Sequence, residues 1–153
     1  MKFKLGSMML VAVLALALGA ARTVNAGEEI VIYKSPTCGC CSLWADHLEA
    51  AGFEVKLVDE AGMLALKKEL GVPAELASCH TAVIAGRVVE GHVPADAIRR
   101  FLGDEEAMET WAGIAVPGMP VGSPGMEVEG RAPDPYHVVA FDRAGNTAPF
   151  AHY

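Results

Sequence analysis

Glu28-Glu29-Ile30-Val31-Ile32-Tyr33-Lys34-Ser35-Pro36-Thr37-Cys38-Gly39-Cys40-Cys41 decides how the rest of the chain is read. Glu28 to Lys34 is rich in β-branched and aromatic residues, which suits a buried strand, and Ser35-Pro36-Thr37 breaks it. Behind the break, Leu43, Trp44, Leu48 and Ala51 follow helical spacing from Cys40 to Ala51, and Gly52 stops the predicted helix. Three thiols therefore crowd into four residues where a strand gives way to a helix. The fourth cysteine, Cys79, stands beside His80. Such a set is either a redox centre or a soft-metal site.

Working outward, Phe53 to Asp59 reads as a second strand and Met63 to Leu70 as a second helix, ended by Gly71 and Pro73. Thr81 to Ala85 and Arg87 to Glu90 form a predicted hairpin turning at Gly86, and Pro94 opens a helix that runs through Phe101 and Leu102. The order is β-α-β-α-β-β-α, an α/β pattern. With cysteines at the first strand-to-helix junction, it resembles the thioredoxin fold over about residues 28–103. A right-handed crossover makes the first two strands parallel, with the cluster at their carboxyl ends. The third strand begins at that same end, so Cys79-His80 is expected to face Cys38-Gly39-Cys40-Cys41. A Gly/Pro/Met-rich C-terminal extension of about residues 104–153 ends in a predicted hairpin, Tyr136 to Phe141 and Thr147 to Tyr153, turning at Gly145-Asn146.

Lys2 and Lys4 precede an apolar run from Met8 to Ala20 that exits through Val24-Asn25-Ala26. That pattern predicts a signal peptide over residues 1–26, and its apolar core is short for a membrane span. Residues 27–153 then form one domain, exported to an oxidising compartment, the periplasm, with no further segment fit to cross a membrane. Cleavage removes Lys2, Lys4 and Arg22 from the 12 basic residues, leaving 9 against 19 acidic ones. A charge of that sign argues against nucleic acid and anionic membrane surfaces as partners. The domain is long enough for a real core, so its cysteines are not needed as staples.

Helix geometry limits what the cluster does. Cys38 precedes the helix while Cys40 and Cys41 lie in its first turn, where free N–H groups and the macrodipole favour thiolates. Neighbours on a helix point about 100° apart, so Cys40 and Cys41 do not converge readily on one ion. Cys38 and Cys41 have ordinary C-x-x-C spacing for a disulfide, which leaves Cys40 directed elsewhere. A multinuclear site with bridging sulfurs uses all three thiols more naturally than a single tetrahedral ion does. Thiolates are soft and suit Cu(I), and the paired knuckles of structural zinc and the spacings of iron–sulfur clusters are absent, but the preference for copper over zinc comes mainly from family resemblance.

Four ordered motifs make the resemblance specific: Tyr33 to Cys41, Ser78 to Ala82, Glu90 to Pro94 (Glu-Gly-His-Val-Pro) and Val116 to Met126 (Val-Pro-Gly-Met-Pro-Val-Gly-Ser-Pro-Gly-Met). Together they cover nearly the whole exported chain, which resembles the CopG-type copper-resistance proteins. That resemblance implies an exported, thioredoxin-like protein with several Cu(I) ions in a thiolate-bridged cluster. Cys38, Cys40, Cys41 and Cys79 carry over as ligands, with His80 beside them. It also implies a setting among other periplasmic copper-handling proteins. Ordinary thioredoxins place a cis-proline before the third strand, where this chain has Cys79-His80-Thr81, and Pro73 lies too far upstream to replace it.

Further candidates are His92, expected at the end of the fourth strand and on the cysteine side, and Met119 and Met126, whose thioethers sit in irregular chain where helical packing does not explain them. His47 reads as solvated, and His137 and His152 are assigned no role. Two functions remain. One is a copper-binding protein of resistance and homeostasis, with no catalytic residue assigned and redox activity left open. The other is a thiol-disulfide oxidoreductase using Cys38 and Cys41, to which Cys40 and Cys79 would be superfluous.

Overall fold

The computed structural model describes residues 29–153, so the signal peptide expected over residues 1–26 lies outside the described residues. Strand β1 (Glu29–Lys34) leads into helix α1 (Gly39–Ala50), strand β2 (Glu54–Asp59) and helix α2 (Met63–Glu69). A single 3-10 turn at Ala74–Leu76 precedes the hairpin of β3 (His80–Ile84) and β4 (Arg87–Glu90), after which α3 spans Ala95–Gly103. The expected β-α-β-α-β-β-α order is present. Among the described residues no helix is long and apolar enough to cross a membrane.

One sheet of seven strands, ordered β2-β1-β3-β4-β5-β6-β7, organises the molecule. β1 and β2 are parallel and β3 runs antiparallel to β1, pairing Lys34 with His80. The carboxyl end of β1 and the start of β3 therefore lie side by side, which brings the two cysteine clusters together at one end of these neighbouring strands. Alternate residues of β1, Ile30 and Ile32, enter the core beneath α1, as a strand's period of two requires. The helix presents Cys41, Trp44, Ala45 and Leu48 to them. Leu43, read from the sequence as part of that stripe, is 57 % exposed instead. The buried stripe at i, i+3, i+4 and i+7 starts at Cys41, and Leu43 falls about 100° away from Trp44.

The chain beyond Gly103 departs most from the sequence reading. Helix α4 (Glu105–Thr110), capped by the Asp104 side chain, and strand β5 (Gly113–Ala115) were not anticipated. β5 pairs in parallel with β4 on one side and antiparallel with β6 (His137–Phe141) on the other, and β7 (Thr147–His152), antiparallel to β6, closes the sheet. The terminal hairpin is thus built into the main sheet. Ile114, Val116, Val138 and Ala140 join the same core as Ile30 and Trp44.

A buried ionic network ties α2 to the hairpin. Lys67 Nζ donates to Glu90 Oε1 at 2.6 Å and to Thr81 Oγ1 at 2.7 Å, and Thr81 Oγ1 donates to Glu90 Oε2 at 2.7 Å. Glu90 Oε1 also accepts from the Ser78 backbone N–H at 2.6 Å, so this carboxylate holds both ends of the Ser78–Thr81 segment. Breaking a buried pair strands the remaining charge. Glu90→Gln is expected to cost about 3–5 kcal/mol in urea unfolding, and a loss below about 1 kcal/mol would show the pair to be effectively solvated.

Candidate metal centre

Cys38 is the N-cap of α1, with extended backbone (φ −79°, ψ 102°), and its side chain caps no N–H. Its sulfur is instead joined to Cys41 in a disulfide. Cys40 and Cys79 are free thiols. Cys40 Sγ lies 3.6 Å from Cys38 Sγ and 3.9 Å from Cys79 Sγ, and Cys79 Sγ lies 3.7 Å from Cys41 Sγ. The four sulfurs form a closed ring, 38–40–79–41, all within 4.8 Å of one another. Cys40, which helical geometry turns away from Cys41, meets the rest of the set through Cys79.

Two imidazoles back this ring. His92 Nε2 is 3.2 Å from Cys79 Sγ, and His80 Nδ1 is 3.3 Å from the same sulfur. His92 follows β4 by two residues rather than ending it, because β4 stops at Glu90. Its Nδ1 lies 2.8 Å from the Pro124 carbonyl, which only accepts, so Nδ1 carries the proton and Nε2 turns its lone pair toward Cys79. A backbone carbonyl that fixes the tautomer in this way is the usual support of a metal-binding histidine. His80 is fully buried, its ring 4.3 Å from Trp44 and edge-on to His92, and its Nε2 has no hydrogen-bond partner.

Burial keeps Cys79, His80 and His92 in their uncharged forms in this disulfide state. Burial, then repulsion from Cys40 and a hydrogen bond with it, push the Cys79 thiol up to about 12. Burial holds His80 well below the ordinary imidazole value, helped by His92 and Lys67, and burial lowers His92 as well. Both rings are neutral and able to bind a cation, while Cys79 remains a thiol until something stabilises its thiolate.

The Met-rich segment lies over the start of α1. A Cβ on Gly125 would come within 2.8 Å of the Trp44 backbone N and 3.0 Å of the Cys40 carbonyl O, so only glycine permits this approach. Gly91 is equally hemmed in, by Ser78 and the Val116 carbonyl, and Ser78 Oγ donates to the Gly118 carbonyl. Met119 is 51 % exposed and Met126 half-buried. Of the expected residues, the structure gathers Cys38, Cys40, Cys41, Cys79, His80 and His92, and it places Met119 facing solvent. His47, expected to be solvated, is half-buried, and its Nε2 accepts the Ala95 backbone N–H at the start of α3. Lys67, Glu90 and Thr81 were not singled out in the sequence, where Lys67 and Glu90 look like ordinary surface charges. Only the placement of Glu90 beside the Gly-His-Val-Pro motif hinted at its role.

Residues 76–126, which carry Cys79, His80, His92 and the Met-rich segment, match a family described as a protein of unknown function, DUF411. Two solved structures, both named copper resistance protein CopG, share the fold across almost their entire length. Form 2 is 47 % identical, with a TM-score of 0.77 and coverage of 83 % of this chain and 98 % of that one. Form 1 is 48 % identical, with a TM-score of 0.75 and coverage of 82 % and 97 % respectively. No curated protein matches the chain.

Proposed function

Given that this chain belongs to the CopG family of copper resistance proteins, we propose that it is a periplasmic protein that binds several Cu(I) ions in a cluster bridged by Cys38, Cys40, Cys41 and Cys79. The observation that carries this reading is the ring of four sulfurs. A thiolate–metal bond of about 2.3 Å puts sulfurs around a three-coordinate ion about 4.0 Å apart. The observed separations of 3.6, 3.7 and 3.9 Å suit that spacing on three edges of the ring. Every sulfur has two neighbours, the arrangement that bridging requires. The fourth edge is the disulfide, which an external dithiol must open: the Cys38–Cys41 bond takes up two electrons and two protons while the donor becomes a disulfide.

His92 Nε2 and His80 Nδ1 supply neutral donors on the Cys79 side, and soft sulfur favours Cu(I) over harder ions. Met126 and the exposed Met119 offer thioethers on the segment above. Anaerobic titration of the reduced chain against a chromogenic Cu(I) chelator is expected to find more than one ion per monomer, and X-ray absorption a short copper–copper shell. One equivalent without that shell would overturn the cluster.

The disulfide supports a second reading, a thiol-disulfide oxidoreductase acting through Cys38 and Cys41. Strong insulin reduction that survives Cys40→Ser and Cys79→Ser, together with weak copper binding, would establish it in place of the first.

A further inference from the structure

At the opposite side of the sheet from β1 and β3, two histidines form a pair that the cysteine centre does not use. His137 and His152 are directly opposed across β6 and β7. Next to them, Tyr136 and Tyr153 exchange both backbone hydrogen bonds, at 3.0 and 2.9 Å. Hydrogen-bonded and non-hydrogen-bonded pairs alternate in an antiparallel ladder, so 137/152 occupies the non-hydrogen-bonded position, where side chains come closest. Both side chains are exposed, their rings 4.5 Å apart and tilted by 34°, and the two Nδ1 atoms lie 3.2 Å from each other.

From this geometry we infer that His137 and His152 form a second metal site, which takes one divalent, imidazole-seeking ion, Cu(II) foremost. With metal–nitrogen bonds of about 2.0–2.1 Å, a 3.2 Å separation subtends roughly 100° at the ion, between the square-planar and tetrahedral angles. A bound ion replaces the Nδ1···Nδ1 hydrogen bond: the proton on the donating Nδ1 moves to that ring's Nε2, both Nδ1 lone pairs face the metal, and water completes the coordination. Imidazole nitrogens without sulfur follow the order in which Cu(II) binds most tightly among the first-row divalent ions.

The scaffold under the pair is rigid. The Tyr136 and Tyr153 rings stack at 5.4 Å, and Tyr153 Oη donates to Asp96 Oδ2 of α3 at 2.7 Å, which pins the end of β7. An anchored backbone holds both donors in place before the ion arrives. The formal charge of −7 adds a mild general attraction for cations. His137 on β6 lies two strand spacings, about 10 Å, from β4, which precedes His92, and His152 on β7 lies four, about 19 Å, from β3, so no residue belongs to both sites. This inference stands whether or not the cysteines bind copper.

The test uses Cu(II) alone and two measurements. In the wild-type chain with its disulfide intact, substoichiometric Cu(II) is expected to broaden the NMR signals of His137 and His152 before those of His47, His80 or His92. In a Cys40→Ser/Cys79→Ser chain, which has no free thiol to reduce the ion, electron paramagnetic resonance is expected to show one Cu(II) with two equivalent imidazole nitrogens. Adding His137→Asn or His152→Asn should then weaken binding by roughly tenfold or more. Broadening centred elsewhere, or histidine variants that bind Cu(II) as tightly as the parent, would overturn the site. Should the serine background not fold, the Cys40→Ala/Cys79→Ala chain, equally free of reducing thiols, takes its place in the resonance and binding measurements.

Discussion

Formation of the Cys38–Cys41 disulfide is expected to abolish copper binding at the cysteine site, and its reduction to restore it. The reason is in the ring of sulfurs. Cys38 and Cys41 are bonded to each other in this structure, and a sulfur in a disulfide is no longer a thiolate ligand. Closing that one bond removes two of the four proposed donors at once, and the two that remain, Cys40 and Cys79, sit 3.9 Å apart with Cys79 held in its thiol form. Copper and oxidant therefore compete for the same pair, and bound Cu(I) should protect it. Thiols are counted by mass spectrometry after matched exposure to a mild oxidant, with alkylation in denaturant because the raised pKa slows reaction of Cys79 in the fold. The oxidised metal-free chain should take up two alkyl groups, on Cys40 and Cys79, and the copper-loaded chain all four. Equal thiol loss in both samples, or copper retained after the bridge has formed, would sever metal binding from redox state.

Single substitutions carry the second large effect. In a two-thiol enzyme Cys40 and Cys79 are spectators, whereas in a bridged ring each sulfur serves two neighbours. Cys40→Ser and Cys79→Ser should therefore each lower Cu(I) capacity about as far as Cys38→Ser does. Each should also lower affinity by more than the roughly 10- to 100-fold that loss of an outer support costs. Cys79→Ser is the more telling of the two, since Cys79 alone touches both halves of the helix cluster and both imidazoles. His92→Ala, which removes a single terminal donor and no bridging sulfur, should lower affinity less than Cys79→Ser does. A Cys79→Ser chain that keeps full capacity would reduce the centre to the three thiols of α1.

What the sequence by itself determined is everything written in short-range pattern. A β-branched run, a proline break and helical spacing place three thiols at the head of α1, and the thioredoxin-like order of elements leads to the expectation that Cys79 faces them, which the antiparallel pairing of β3 with β1 meets. The spacing of Cys38 and Cys41 marks the pair that bridges, because disulfide geometry depends on local separation. Tertiary structure alone decided the rest. Strand β5 is three residues long, too short for a period to show, and it exists because β4 and β6 flank it. Leu43 and Trp44 are adjacent and both apolar, and only the position of the sheet determines which is buried. His92 acquires its orientation from a carbonyl 32 residues away, and Lys67 and Glu90 become a buried clamp through a contact spanning 23 residues. His137 and His152 are separated by 15 residues, and they become a pair of facing donors only through strand register. Composition and periodicity report what a residue prefers locally, but which distant partner satisfies a polar group is settled when the layers pack.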